Sequence, residues 1–416
     1  MVKPKRPALP PLPPRIDTPV TIERIVPGGY GLARVLGRVV LVFGAAPGDI
    51  VRFELDRAPG TTLFAHITEI VVPSSDRISP PYPDATRCGG ADFQHLTYDA
   101  QLRAKAGIVA DALRRVGGIE LAEPIPITPS PQIWGYRARA DWRYDPAPPA
   151  LGYLAHGTRQ VCDLPFDPFV TTDLATLYED LRSRMNRGDL PPVGEFRAAA
   201  SLNEASLAPP LAGGEVRPIA IEVAGERLWF DATVFFQANP GILPDLVAEA
   251  LRFAPAAADY AAQPPDVVAV DLYAGVGLFT LPLARRYRRV VAVEADAPTA
   301  TYLTRNASEA GLRGVRVVVE PVERWLDGAY RTYGRPALAL LDPPRTGLPP
   351  QAASLLARLR PARIAYVSCD PPTLARDLKR LLGGGYRLER VTGFDMFPQT
   401  HHVEVVAHLV REEREP

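Results

Sequence analysis

The chain has 416 residues, 47% hydrophobic and 23% charged, with Lys+Arg 47 against Asp+Glu 47. That length predicts two to four domains with ample core, and the charge balance argues against holding nucleic acid by bulk charge, leaving only a local basic stripe. No apolar run reaches the ~18 residues of a membrane span, the proline-rich N-terminus lacks the apolar stretch of a secretory signal, and three cysteines make no disulfide framework and fit a reducing cytoplasm.

Residues 1–16 carry four cations and no acid, a composition that predicts a disordered, polyproline-like tail. Residues 17–75 are expected to form a small closed barrel. Short β-rich runs at 20–22, 28–31, 38–42, 49–53 and 62–70 are spaced by Gly, Pro and Asp turns, as in oligonucleotide-binding barrels. Tyr30, Phe43 and Phe64 are candidates there for stacking on bases, or for filling the barrel.

A central domain is expected over 76–235. Leu102, Ala106, Val109, Ala110 and Leu113 recur at helical spacing, and Gly117-Gly118 stops the run, which predicts a linker helix over 97–117. A second helix is expected over 171–185. Between them, Trp134 to Arg143 alternates with period two. Arg137, Arg139 and Arg143 then share one strand face, where they could follow a phosphate backbone or simply be solvated.

From residue 236 to the end the chain predicts an α/β catalytic domain. Apolar runs at 267–270, 290–293, 315–319, 337–341 and 364–367 alternate with helical stretches, the pattern of a parallel doubly wound sheet. The first run leads into Asp271-Leu272-Tyr273-Ala274-Gly275-Val276-Gly277 and the second ends at Glu294. Glycines at 275 and 277 permit close backbone approach to a ligand. The third glycine of a dinucleotide site is replaced by Thr280, so Asp271 and Glu294 point to S-adenosylmethionine. Asp342 ends the fourth run, before Pro343-Pro344-Arg345. The fifth runs into Val367-Ser368-Cys369-Asp370-Pro371-Pro372. Taken alone, a cysteine there is a small buried residue closing a core strand. A last strand puts Val403, Val405, Ala407 and Leu409 on one face and Glu404 on the other, where burial should raise its pKa and suit it to proton transfer.

Phe235-Phe236-Gln237-Ala238-Asn239, Asp271 to Phe279, Asp342 to Gly347, Val367 to Leu378 and Phe397 to Glu404 together resemble the motif series of the RNA uracil-5 methyltransferases, which modify tRNA and large-subunit rRNA. Gly28 to Arg34 resembles the TRAM domain, an RNA-binding barrel attached to RNA-modifying enzymes. The resemblance implies a Rossmann-like catalytic domain with a mostly parallel sheet, an OB-like barrel and an α+β central domain. It gives Cys369 as nucleophile and Glu404 as general base. Gln237, Tyr273, Gly275, Glu294 and Asp342 lie around cofactor and target base, and Phe235 near the base. The partner is an RNA loop, and a cytoplasmic monomer is expected.

C5 of uracil is a poor nucleophile. Addition of a thiolate to C6 makes C5 enolate-like, able to attack the methyl group of S-adenosylmethionine; a base then removes the C5 proton, and elimination frees the cysteine. The thiol should need some local activation, and the target base must be looped or flipped out of any helix. The same mechanism on cytidine is an alternative, as is a non-catalytic RNA-binding protein on a methyltransferase shell. Many members of the family carry an iron–sulfur cluster on four cysteines. Here Cys88 and Cys162 match two ligand positions while Tyr82 and Ala91 stand at the others. The expectation is therefore no cluster, with Cys88 and Cys162 as neighbouring buried thiols.

Overall fold

The computed structural model describes residues 15–57 and 62–412. The expected tail thus lies outside the described residues up to 14. Its last two residues instead open the first strand, Arg15–Thr21, because Ile16 packs into a core with Val51 and Phe53. Residues 15–72 form a six-stranded sheet in the order Arg15–Thr21, Ile50–Arg57, Leu63–Val72, Arg38–Phe43, Gly31–Val35, Arg24–Ile25. The pair Arg38–Phe43 and Leu63–Val72 is parallel. The two outermost strands are halves of one bent stretch, joined through Ile22 and Glu23. The strand expected over 28–31 begins only at Gly31, and the residues before it form a turn. Gly28 and Gly29 take φ +92° and +79°, left-handed values that glycine adopts without steric cost. A Cβ on Gly29 would also lie 2.3 Å from Asp92 Oδ2.

A five-stranded antiparallel sheet follows, in the order Val161–Asp163, Pro149–Leu154, Arg139–Pro146, Glu195–Ser201, Glu204–Ala208. The helix Thr172–Arg187 covers it with Leu174, Tyr178 and Leu181 against Trp142 and Phe196.

The third sheet has eight strands, in the order Val315–Val319, Arg289–Glu294, Val268–Leu272, Leu338–Leu341, Arg363–Ser368, Glu404–Arg411, Tyr386–Phe394, Ile127–Thr128. The first five are parallel to one another. Glu404–Arg411 runs antiparallel to Arg363–Ser368. Each face has its own core. Val403, Val405, Ala407 and Leu409 enter one and Val406 the other, the alternation expected of a strand covered on both sides.

The helix Tyr98–Ala112 continues as a wider turn to Gly117 and ends at Gly118 with φ +68°. It is more than a linker: Val109, Ala112 and Leu113 belong to the core on one face of this sheet, beside Leu374 and Leu378. Its buried face also differs from the apolar one read in the sequence. Gln101, Lys105, Ile108 and Ala112 are inside while Ala110 is exposed.

Candidate active site

Open α/β sheets bind ligands beyond the carboxyl ends of their strands. At that edge the strand Val268–Leu272 turns through Tyr273 at φ +62° and Gly275 at φ +57°. A Cβ built on Gly275 meets nothing within 4 Å, so the turn faces open space. Glu294 is fixed by its neighbours: Oε2 accepts from Gly275 N at 2.9 Å and Oε1 from Asp296 N at 2.8 Å. A Cβ on Gly277 would come 2.7 Å from Leu303 Cδ1, so glycine there lets the turn pack on the helix Ala297–Glu309. The Tyr273 hydroxyl is buried with no partner among the described residues. An open glycine turn, a fixed carboxylate and an orphaned hydroxyl suit a ligand carrying ribose hydroxyls and an amino-acid tail. S-adenosylmethionine is such a ligand.

Asp271 lies beneath this turn, fully buried. The Thr280 hydroxyl donates to its Oδ2 at 2.5 Å, and its Oδ1 has no partner among the described residues. Burial, helped by Asp342 and Glu294, pushes its pKa up to about 7. A carboxyl whose folded pKa exceeds its unfolded one stabilises the fold at low pH, and that stability is lost as pH rises toward 7. Asp271→Asn is therefore expected to gain on the wild type as pH climbs from 4 to 8, reaching roughly 2–4 kcal/mol. Urea unfolding of the ligand-free protein at several pH values measures it.

The strand Arg363–Ser368 delivers Cys369 to the sheet edge. Asp370 ends the turn by capping the helix Pro371–Gly383, accepting from Thr373 N at 2.8 Å. The antiparallel register pairs Ser368 with Val405, so Cys369 and Glu404 come opposite one another. Asp342 follows Leu341, whose register partner is Tyr366 on the same central strand. Gln237 Nε2 donates to Asp342 Oδ2 at 3.3 Å.

These groups perturb one another. Burial raises Glu404 well above the usual carboxylate range, with Asp342 adding to the rise and Arg345 opposing it. Asp342 is pushed up to about 7 by burial, partly offset by the Gln237 amide. The Cys369 thiol is pushed up to about 12, first by burial, then by Glu404, with Arg345 opposing. The activation expected of this thiol is thus not built into the free protein. Desolvation and three neighbouring acids, Glu404, Asp342 and Asp370, outweigh one exposed guanidinium.

Phe235 is 63% exposed while Phe236 is buried and stacked on Phe230 at 4.4 Å. Arg139 lies 6.0 Å from the Phe235 ring centre, and its guanidinium donates to the Val234 carbonyl. Arg137 must be corrected. It precedes the strand, is buried, and its guanidinium sits 4.8 Å over Phe169, bonded to Tyr136 Oη and Gly90 O at 3.1 Å each. Its guanidinium is taken up inside the fold, away from solvent. Cys88 and Cys162 are neighbours as expected, yet they are joined as a disulfide and are not free thiols. With Tyr82 against Trp134 and Ala91 in the core, the donor set here does not fit a four-thiolate cluster.

Asp377, within the motif Val367 to Leu378 but given no role by the sequence, is part of the site's framework. Fully buried, it accepts from Tyr366 Oη at 2.9 Å, Leu348 N at 2.8 Å, and Arg376 and Arg380 at 3.0 Å. It ties the loop after Asp342 to the helix after Cys369. An acid at an apolar helical position was the available signal.

A mostly parallel doubly wound sheet with this glycine turn and paired strand-end acids defines a Rossmann-like methyltransferase that uses S-adenosylmethionine. The family model described as tRNA (Uracil-5-)-methyltransferase matches residues 233–412. An uncharacterized RNA methyltransferase of Gloeobacter violaceus is 32% identical, covering 94% of this chain and 96% of its own length. The 23S rRNA (uracil(1939)-C(5))-methyltransferase RlmD of Vibrio cholerae is 30% identical, covering 94% and 96%. The crystal structure of the Pyrococcus abyssi tRNA (uracil-54, C5)-methyltransferase in complex with S-adenosyl-L-homocysteine shares the fold, with TM-score 0.70 at 22% identity, over 94% of this chain and 100% of that one. The chain belongs to the tRNA (uracil-5-)-methyltransferase family of RNA methyltransferases. Among the described residues no helix is long and apolar enough to cross a membrane.

Proposed function

We propose that the protein methylates C5 of a uridine in rRNA or tRNA through a covalent adduct on Cys369. The observation that carries this reading is the pairing of Cys369 and Glu404 at one sheet end, with Asp342 beside them. Gly275, Glu294, Tyr273 and Gln237 would hold S-adenosylmethionine, which supplies an electrophilic methyl on a positively charged sulfur. Positive charge added beside Cys369, Asp342 and Glu404 lowers the pKa of each. Cys369, its proton lost to solvent, would bond through Sγ to C6 of the base; the electron pair moves to C5, which takes the methyl as the sulfur–methyl bond breaks and S-adenosylhomocysteine leaves. Glu404 removes the C5 proton, the C5–C6 double bond re-forms, and the Sγ–C6 bond breaks. Glu404 suits the task because burial has raised its proton affinity. Exposed Phe235 is the aromatic against which the flipped base would stack.

We assign 17–75 to an OB-like, TRAM-type barrel, 76–235 to the central domain and 236–416 to the catalytic domain. The parallel pairing in the first sheet and its bent outer stretch support the barrel. Tyr30, Phe43 and Phe64 lie outside its core; Tyr30 packs on both phenylalanines, and Tyr30 and Phe43 pack with His156 of the central domain. The Phe43 and His156 rings stack at 4.3 Å. This half-buried rim is the surface we assign to RNA bases.

The test is nucleoside mass spectrometry of unmodified 23S rRNA and tRNA transcripts incubated with protein and S-adenosylmethionine. The expected product is 5-methyluridine. Recovery of 5-methylcytidine, or of neither, contradicts the reading.

A further inference from the structure

We propose that Gln101 and Lys105, on the buried face of the helix Tyr98–Ala112, are positioning residues for Glu404, an inference that rests on Glu404 being the base. Both reach into the segment 395–402, which connects Tyr386–Phe394 to the strand beginning at Glu404. The Lys105 ammonium is fully buried. It donates to Asp395 Oδ1, also fully buried, and to the Phe397 carbonyl at 3.0 Å. Gln101 and Gln399 form a reciprocal pair: Gln101 Nε2 donates to Gln399 Oε1 at 2.9 Å, and Gln399 N donates to Gln101 Oε1 at 2.9 Å. Gln399 has φ +66°, a left-handed conformation that a residue with a Cβ holds only when its surroundings impose it.

The rest of the segment is held the same way. The Met396 carbonyl accepts from Asn239 Nδ2 at 3.3 Å, that of Pro398 from Tyr136 Oη at 3.0 Å and that of Gln399 from Phe93 N at 2.9 Å. Four consecutive carbonyls, 396 to 399, thus each receive a donor from another part of the chain. His401 N donates to Asp92 Oδ1 at 3.2 Å, and the His401 ring pairs with the same carboxylate. Residues 395–399 and 401, on the path into Glu404, are thus held by bonds to distant parts of the chain.

A buried Lys–Asp pair is a poor way to gain stability, since desolvation consumes most of the attraction and apolar residues of similar volume often do better. Its physical advantage is directional: it allows one geometry. A proton-abstracting carboxylate needs that, because displacement by about 1 Å can cost roughly 100-fold in rate. The proposed reaction separates this role from general support of the fold. Aiming Glu404 matters for removing the C5 proton, after the adduct has formed, and not for the attack of Cys369.

The experiment compares the wild type, Gln101→Met, the double variant Lys105→Met/Asp395→Leu, and Glu404→Gln as reference. Unmodified 23S rRNA and tRNA transcripts and methyl-labelled S-adenosylmethionine are the substrates. Turnover, KM for RNA, denaturant-resistant labelled protein–RNA adduct and thermal midpoint are measured. The double variant leaves no buried unpaired charge; if it fails to fold, Gln101→Met decides alone. Expected are a kcat lowered about tenfold or more, an unchanged KM, and labelled adduct above the wild-type level. Wild-type turnover in folded variants overturns the proposal, as does equal slowing of adduct formation and adduct resolution. A Glu404→Gln protein that accumulates no adduct refutes the base assignment itself, and the proposal falls with it. Adduct in Glu404→Gln but not in the other variants refutes the positioning role alone.

Discussion

Cys369→Ala is expected to fold, to bind S-adenosylmethionine and RNA, and to yield no 5-methyluridine, a loss of roughly 10⁴-fold or more in kcat. The magnitude follows from the substrate. Without a nucleophile at C6 the C5 carbon carries no enolate character, and no remaining side chain supplies it. The variant should be structurally mild. The cysteine is half-buried at a strand-to-helix turn whose geometry is set by Asp370 capping the following helix, and alanine fits the same backbone. A thermal midpoint near that of the wild type, with no methyl transfer from labelled S-adenosylmethionine, is the result to look for. Methylation that persists would remove Cys369 from the mechanism.

Glu404→Gln should fail differently. Glutamine keeps the shape and cannot take a proton, so adduct formation and methyl transfer proceed once while elimination stalls. Expected are a burst of up to one methyl per protein, a steady rate lowered roughly 10²–10⁴-fold, and a denaturant-resistant protein–RNA species that carries the methyl. The pH profile of the wild type adds a check. Cys369 lies up to about 12 and Glu404 is raised well above the carboxylate range. Both must lose a proton to act, so kcat/KM should rise with pH through neutrality. Arg345 opposes both shifts, and Arg345→Ala should displace that rise toward higher pH.

The α/β sheet was legible because its central strands are buried on both faces, and these and the half-buried edge strand Val315–Val319 read as short apolar runs. The run 315–319 coincides with a strand, and the others lie within a residue or two of one. The 28–31 stretch was misread for a local reason. Glycine is permissive in both strand and turn, and only the positive φ values at Gly28 and Gly29 separate them. The face of the helix Tyr98–Ala112 was misread for a tertiary one: apolar periodicity finds a buried face only when burial is apolar. Here the interior side is chosen by Gln101 and Lys105, which bond to Gln399 and Asp395, 290 or more residues away.

At the site, the positions of Cys369, Asp342, Glu294 and Gly275 followed from strand ends and glycines, which are local signals. Glu404 faces Cys369 because the last strand runs antiparallel, a topological fact that a single strand pattern does not carry. The disulfide between Cys88 and Cys162 and the aromatic cage around Arg137 depend on packing between segments far apart in sequence.

The proposed chemistry turns on a bond between one sulfur and one carbon. Peptide mapping by mass spectrometry of the adduct formed by Glu404→Gln on unmodified transcripts reads that bond out. A single modified peptide is expected, with the methylated uridine attached to Cys369. No adduct, or attachment at any other residue, would contradict it.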